Sequence, residues 1–373
     1  MREKERRGLV LAFLVFGAFW GAWSASLPAV RRQAGVSDGE LGAALAAVAV
    51  FSVPMMLIAG RVADRYGPRW TLPGACVLFA VVVPLPALAH SWLGLVAALG
   101  CIGIGTGSLD LVINAAAAGW ERLEDEHLMS LVHGGFSGGV LLGAVFAGLA
   151  RQAGAGPLPI LAVVAVATLL VGASQPAYRK LPAEPTTGKR KLPLFLVCVG
   201  LLTAGAFLCE DALQSWSSLR LERGLHASLA ISGLGPGLFA GSMAVGRLMG
   251  GWLSNRFAAA LVFRVAAAVL AAGAVVVAVA PTSSVALVGL VIAGAGTSVL
   301  APVLYSAVGT RSEQGRQGAD LATVAGVGYV GFVLGPPVVG AVSAGTSLPV
   351  ALGGLGGVAL LLAVTGPLLL RRT

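Results

Sequence analysis

The chain has 373 residues, 57% of them apolar and only 11% charged, with a mean hydropathy of +0.89. A water-soluble chain carries about 25% charged residues, so this composition excludes a soluble globule, and the apolar content excludes disorder. The 53 glycines lack the three-residue period of collagen, and helices packed in lipid favour small residues where backbones meet. The formal charge of +9 would suit nucleic acid or a membrane surface, and the placement of the basic residues decides between them.

A helix crosses the hydrocarbon with about 20 apolar residues. Apolar runs of that kind occupy approximately 8–30, 41–60, 71–90, 93–119, 131–150 and 157–178. They resume at approximately 193–216, 229–250, 262–281, 283–309, 319–342 and 347–370. The first run follows Arg2, Lys4, Arg6 and Arg7 and is too long for the h-region of a signal peptide, so a retained first span is expected. Twelve spans put both termini on one side. That side collects 20 of the 25 basic residues, among them Arg61, Arg65, Arg69, Arg247, Arg256 and Arg311, against Arg31, Arg32, Arg151, Arg220 and Arg223 opposite. The positive-inside rule makes it the cytoplasmic side, and the expected location is a bacterial plasma membrane. The basic excess is therefore topology, with no nucleic-acid partner.

Between the runs, Ser37 and Glu40 have the spacing of a capping box for the second helix. Asp320 opens the eleventh run, where an acid complements the helix dipole. Residues 179–192, with Pro182, Pro185, Gly188 and five basic residues, read as a flexible linker joining halves 1–178 and 193–373. Cys76, Cys101, Cys198 and Cys209 lie inside apolar runs without disulfide or metal spacing and read as packing residues.

The two halves repeat. Gly103-Ile104-Gly105-Thr106 matches Gly294-Ala295-Gly296-Thr297, and Asp64-Arg65-Tyr66 matches Asn255-Arg256-Phe257, both 191 residues apart. Gly139-x3-Gly143 matches Gly331-x3-Gly335 at 192, and Ala22-Trp23-Ser24 meets Ser215-Trp216-Ser217 at 193. Four matches in order at nearly one offset indicate duplicated six-helix halves, a known transporter plan with a site between the halves.

Gly60-Arg61-Val62-Ala63-Asp64-Arg65-Tyr66-Gly67-Pro68-Arg69, between spans two and three, resembles the signature loop of the major facilitator superfamily, G-x-x-x-D-R-x-G-x-R. Asp110-x3-Asn114, the run His133-Gly134-Gly135-Phe136-Ser137-Gly138-Gly139 and Gly328-Tyr329-x-Gly331-Phe332-x2-Gly335-Pro336-Pro337 resemble its MosC-like (rhizopine-transporter-like) branch. The resemblance covers essentially the whole chain. It implies an all-α membrane protein, twelve transmembrane helices in two pseudo-symmetric halves, with spans one, four, seven and ten lining the pathway. It also implies that the loop acts as a conformational latch against the start of span eleven. By chemistry alone, Gly60 permits a close helix approach, Gly67 a tight turn, and Asp64 charge-assisted bonds among Arg61, Arg65 and Arg69. The alternative is a solvated basic turn that only sets topology. In the second half Asn255 and Ala258 replace the acid and the glycine, which argues against two equal latches.

Acids inside spans are expensive and mark function. Asp110 lies on span four with Asn114 one turn later on the same face. It either takes and releases a proton, with Asn114 orienting it or the substrate, or bonds a neighbouring helix; the first reading is preferred. Glu210 and Asp211, near the expected outer end of span seven, point about 100° apart. Glu210 is favoured for the cavity on the resemblance, the alternative being a helix end paired with Arg220 or Arg223. His133 is either a proton shuttle near Asp110 or, preferably, an interfacial histidine. Trp20, Trp23, Trp216, Tyr305 and Tyr329 are candidate cavity liners, with interfacial belts as the alternative for Trp20 and Trp216. Gly103-x-Gly105-x-Gly107 follows no strand and is not a nucleotide fingerprint.

These residues point to a monomeric secondary transporter that moves a small organic solute by alternating access, coupled to protons, with no cofactor or metal and no enzymatic activity. A drug/proton antiporter is the alternative to an importer of a sugar-like metabolite. Drug antiporters of the family carry Gly-Pro in span five, whereas here span five has only glycines and a Gly335-Pro336-Pro337 element lies in span eleven. A membrane enzyme acting on lipid-linked substrates would need a long polar loop, and a receptor-like protein would not explain the intramembrane acids.

Overall fold

The computed structural model describes residues 2–124, 128–178, 193–312 and 317–370. The expected linker, 179–192, lies outside the described residues, among which there is no strand. Six helices form the first half: α1 (Arg2–Ala34), α2 (Asp38–Tyr66), α3 (Pro68–Val82), α4 (Trp92–Glu124), α5 (Met129–Gln152) and α6 (Pro157–Ala173). The second half has α7 (Leu194–Leu219), α8 (Leu229–Arg256), α9 (Ala259–Val279), α10 (Ser283–Thr297), α11 (Leu300–Gly309), α12 (Gln317–Gly345) and α13 (Leu348–Leu370). A break at Ser298 and Val299 divides one span into α10 and α11, leaving the twelve spans expected from the apolar runs. Eleven are long and apolar enough to cross a bilayer, while α6 has 17 residues, or about 25 Å.

The helices gather into two compact units. The first holds α1–α6 with Ala227–Gly237, the opening of α8; the second holds α7, the rest of α8 and α9–α13. In the first, α1 packs along α5 and α2 along α4; in the second, α7 packs along α12 and α9 along α13 and α10. In the first unit α8 meets α5 through Gly233, where a β-carbon would lie 2.6 Å from the Cα of Gly148.

The sequence repeat reappears as a repeat of contacts. Gly103 of α4 faces the Val48 carbonyl of α2, and Gly294 of α10 faces the Phe239 carbonyl of α8. Gly105 abuts Phe79 of α3, and Gly296 abuts Leu270 of α9. Both partners in each pair of contacts are displaced by the same 191 residues. At Gly103, Gly294 and Gly296 a β-carbon would run into a facing backbone, and at Gly105 into the Val82 and Phe79 side chains, which is why small residues carry the matches.

Local chemistry fixes the element ends. Ser37 caps α2 through a complete capping box, its N–H donating to Glu40 Oε2 at 2.8 Å. Gly67 ends α2 and precedes α3 as a single residue at φ +74°, a left-handed conformation that glycine adopts without a Cβ penalty, and Pro68 starts α3. Where α1 turns into α2, Arg31 Nε pairs with Asp38 Oδ1 at 2.9 Å with both side chains largely covered.

Candidate functional site: polar groups inside the spans

In the first unit, Asp110 sits just past the middle of α4. The Asn114 amide donates to the Asp110 carboxylate at 2.9 Å and to its backbone carbonyl at 2.8 Å. The helical spacing of four residues aims both side chains the same way, and the amide holds one carboxylate oxygen in a fixed place. Both residues are half-buried. His133, near the start of α5, sets its ring against Phe13 of α1, with centroids 5.2 Å apart.

The second unit carries a richer arrangement, and it corrects the expected placement of two acids. Glu210 and Asp211 lie at the middle of the 31-residue span Leu194–Gly224 rather than near its outer end. Glu210 is about 24 Å along the axis from the first turn. The span outruns the apolar run because Arg220 does not end it: the chain continues as a π turn over Arg220–Gly224. Arg220 is 5% exposed and donates to the carbonyls of Val277, Ala278 and Ala280 at 3.0–3.2 Å. These are the bare carbonyls at the end of α9, where a cation is favoured. It is therefore not a partner for either acid.

The partner of Glu210 is Arg247, whose guanidinium lies 3.5 Å from the carboxylate. Arg247 was counted among the basic residues of the cytoplasmic side; it lies about 27 Å along α8, inside the span. This residue was missed, although a signal existed. Val245-Gly246-Arg247-Leu248-Met249 continues for nine residues to Arg256, and an arginine inside a span needs an acid. The side chains keep 34% and 22% exposure for Arg247 and Glu210, so protein does not fully enclose the pair. Tyr305 of α11 is half-buried. Asp211 points to the other side, toward Gly335 of α12.

The aromatic candidates separate. Trp23 and Trp216 are 1% and 0% exposed, so they are packing residues inside their own helices' core and line no open space here. Trp20 is half-buried and meets Phe16 and Phe19 edge-on. Tyr329 is half-buried beside Phe207 and Phe332, which stack on each other at 4.4 Å and 16°.

In the signature loop Asp64, Arg61, Arg65 and Arg69 are all exposed, and among the described residues Asp64 forms no ion pair with the three arginines. The expected charge-assisted bonds are thus absent in this structure. Adjacent residues on a helix diverge, which keeps Arg65 from Asp64, and Arg69 lies beyond the Gly67 turn. Arg65 and Arg69 lie instead over the rings of Tyr66 and Trp70 at 5.4 and 5.3 Å. Gly60 is close to α4, where a β-carbon would stand 3.3 Å from Leu111 Cδ2.

Comparison with known proteins agrees with this architecture. The model of the Major Facilitator Superfamily matches residues 9–284 and again 199–373. A transporter of that type from Yersinia pestis is 28% identical over 352 residues, covering 92% of this chain and 90% of its own. The membrane protein MosC of Rhizobium meliloti is 24% identical over 342 residues, covering 90% and 83%. Among solved structures, a bacterial homologue of the human lysosomal transporter Spinster, inward-facing and occupied, superposes with a TM-score of 0.80 at 16% identity. That match covers 99% of this chain and 96% of the other, and it establishes the shared fold. Twelve spans in two repeated halves and polar groups held inside the membrane are the features of a carrier rather than an enzyme: the chain belongs to the Major Facilitator Superfamily of secondary transporters, with MosC among its relatives.

Proposed function

We propose that the protein carries a small organic solute across a bacterial plasma membrane by alternating access, driven by protons. The observation that carries this reading is the Glu210–Arg247 pair in mid-span, with both members partly exposed. A charged pair in hydrocarbon is costly unless it faces a hydrated path, and such residues mark ion and solute routes. Asp110, braced by Asn114, is the acid that takes up and releases the proton. Glu210 changes partner between Arg247 and the solute or proton, and Tyr305 offers its hydroxyl to a polar solute. On this reading the protein works as a monomer with both termini in the cytoplasm, and the exposed charges of Arg61, Asp64, Arg65 and Arg69 serve as the latch in another state of the cycle.

The test is flux in proteoliposomes. With a solute identified by thermal-shift screening, Asp110→Asn abolishes uptake driven by a pH gradient and spares counterflow. Unchanged driven uptake would remove Asp110 from the coupling mechanism.

A further inference from the structure

We propose that the corner between α8 and α9 binds the phosphate of an anionic phospholipid through Arg264 and Arg256. One face of α9 packs on α10 and α13. Its other face is an exposed stripe, Leu261, Val265, Ala268, Ala272, Val275 and Val279, at the intervals of four and three that keep residues on one side of a helix. The stripe runs about 27 Å along the axis, close to the thickness of the hydrocarbon. A hydrated route is lined by polar groups, and this stripe is apolar throughout, so lipid covers it. Arg264 is exposed on the same face, between Leu261 and Ala268.

A guanidinium on such a face is costly unless its charge is met. Among the described residues neither Arg264 nor Arg256 has a hydrogen bond or an ion pair through its side chain. Arg264 lies five residues, about 8 Å, from the start of α9 at Ala259. A long side chain spans that distance back to the headgroups. The level of the headgroups is marked on the adjoining helix end. Trp252 is 57% exposed and carries Arg256 over its ring at 6.0 Å, with Phe257 edge-on at 6.3 Å. An exposed tryptophan beside a cation at the end of a span is an interfacial anchor. Only Phe257 and Ala258 separate α8 from α9, so both guanidiniums belong to the same edge of the membrane.

Charge selects the ligand. Two guanidiniums without an acid leave the corner positive, and the planar fork of an arginine fits a phosphate. A zwitterionic headgroup also carries an ammonium, for which neither arginine has a carboxylate nearby among the described residues. An anionic headgroup brings the phosphate without that second charge. The first unit supplies a contrast. The stripe of α3, Trp70, Gly74, Val77 and Val81, lies 191 residues earlier and is exposed in the same way, with Pro73 in the place of Arg264. The arginine is therefore not needed to build the stripe and is particular to the second unit.

Binding is measured without any solute, so the test is separate from the carrier reading. The full-length protein in detergent is titrated with phosphatidylglycerol or with phosphatidylcholine, and bound lipids are resolved by native mass spectrometry. The wild type holds phosphatidylglycerol more tightly. Arg264→Leu continues the apolar stripe and keeps the fold. It weakens phosphatidylglycerol binding about fivefold, the contribution of one cation at a membrane surface, and leaves phosphatidylcholine binding unchanged. Arg256→Gln acts in the same direction, and soluble glycerol phosphate at the same concentration does not displace the lipid. Should Arg264→Leu not fold, Arg264→Gln and Arg256→Gln carry the same test. Equal binding of the two lipids by the wild type, or a wild-type preference in the arginine variants, would overturn the site. Displacement by glycerol phosphate would assign the corner to a soluble anion and overturn it as well.

Discussion

The α1–α5 pair and the α7–α12 pair occupy matching places in the two units and are built differently. Along α1–α5 both helices contribute glycines. Gly17 and Gly21 face the carbonyls of Phe136 and Val140, and Gly139 and Gly143 face those of Leu14 and Ala18. Along α7–α12 the backbone-facing glycines come from α12, with Gly331 and Gly335 facing the carbonyls of Ala204 and Leu208, while Gly200 of α7 meets the Val327 side chain. Leu14 and Ala18 correspond to Ala204 and Leu208 at an offset of 190. The same offset places Phe207 and Asp211 where α1 has Gly17 and Gly21. One seam is therefore backbone against backbone, while the other admits an aromatic stack and a carboxylate. The frame of the two seams is shared, and two side chains on one helix set them apart.

That contrast can be broken most forcefully at Gly143. Gly143→Val drives a side chain into the Ala18 carbonyl, where no flexible group can yield, and costs about 3 kcal/mol, the upper end of overpacking. A sharp fall in the monodisperse fraction and in unfolding temperature is the measurement. Gly335→Val, against a looser contact, costs less; equal losses would make the two seams equivalent. Phe207→Ala removes the stack on Phe332 and opens space, at about 2 kcal/mol in thermal unfolding.

A smaller effect concerns the pair beside the polar seam. Glu210→Gln and Arg247→Gln each impair transport, and the double variant recovers about 1 kcal/mol relative to the sum of the single losses. The modest figure follows from the partial exposure of both side chains. An additive double-mutant cycle in the unfolding data would show that the two charges do not depend on each other.

The smallest effect sharpens the account of the glycine-lined helix. Beyond α6 the chain folds back over α1, where Gly8 leaves room for Gln175, Pro176 and Tyr178. The Tyr178 hydroxyl donates to Gln175 Oε1 at 2.7 Å. Burial, aided by Glu5 and Cys76, pushes the Tyr178 phenol above its ordinary pKa. A raised folded-state pKa gives stability that is complete below the unfolded value, about pH 10, and is lost as pH rises beyond it. Tyr178→Phe costs about 0.5–1 kcal/mol at neutral pH. It also flattens the decline of stability in alkaline solution, read from unfolding at a series of pH values.

Much of this was legible in the sequence for identifiable reasons. Twelve apolar runs gave the spans, because lipid tolerates polar backbone only in closed helices. The offset of 191 residues was visible because close helix contacts tolerate almost nothing but glycine at Gly103, Gly105, Gly294 and Gly296. Ser37, Glu40 and Gly67 act through neighbours in the chain, so their roles as cap and turn could be read from spacing. The bond from Asn114 to Asp110 is equally local.

What tertiary structure decided were the pairings made between helices. Arg220 and Arg247 have the same charge and both flank apolar runs, yet one caps α9 and the other meets Glu210 inside the membrane. Trp23 and Trp216 carry the same side chain as Trp20 and are sealed while it is not. Hydropathy and helical period set the length and direction of each helix, but its rotation about its own axis is set by the ridges and gaps of its neighbours. That rotation determines which face meets lipid, protein or water, and with it the partner of every intramembrane charge.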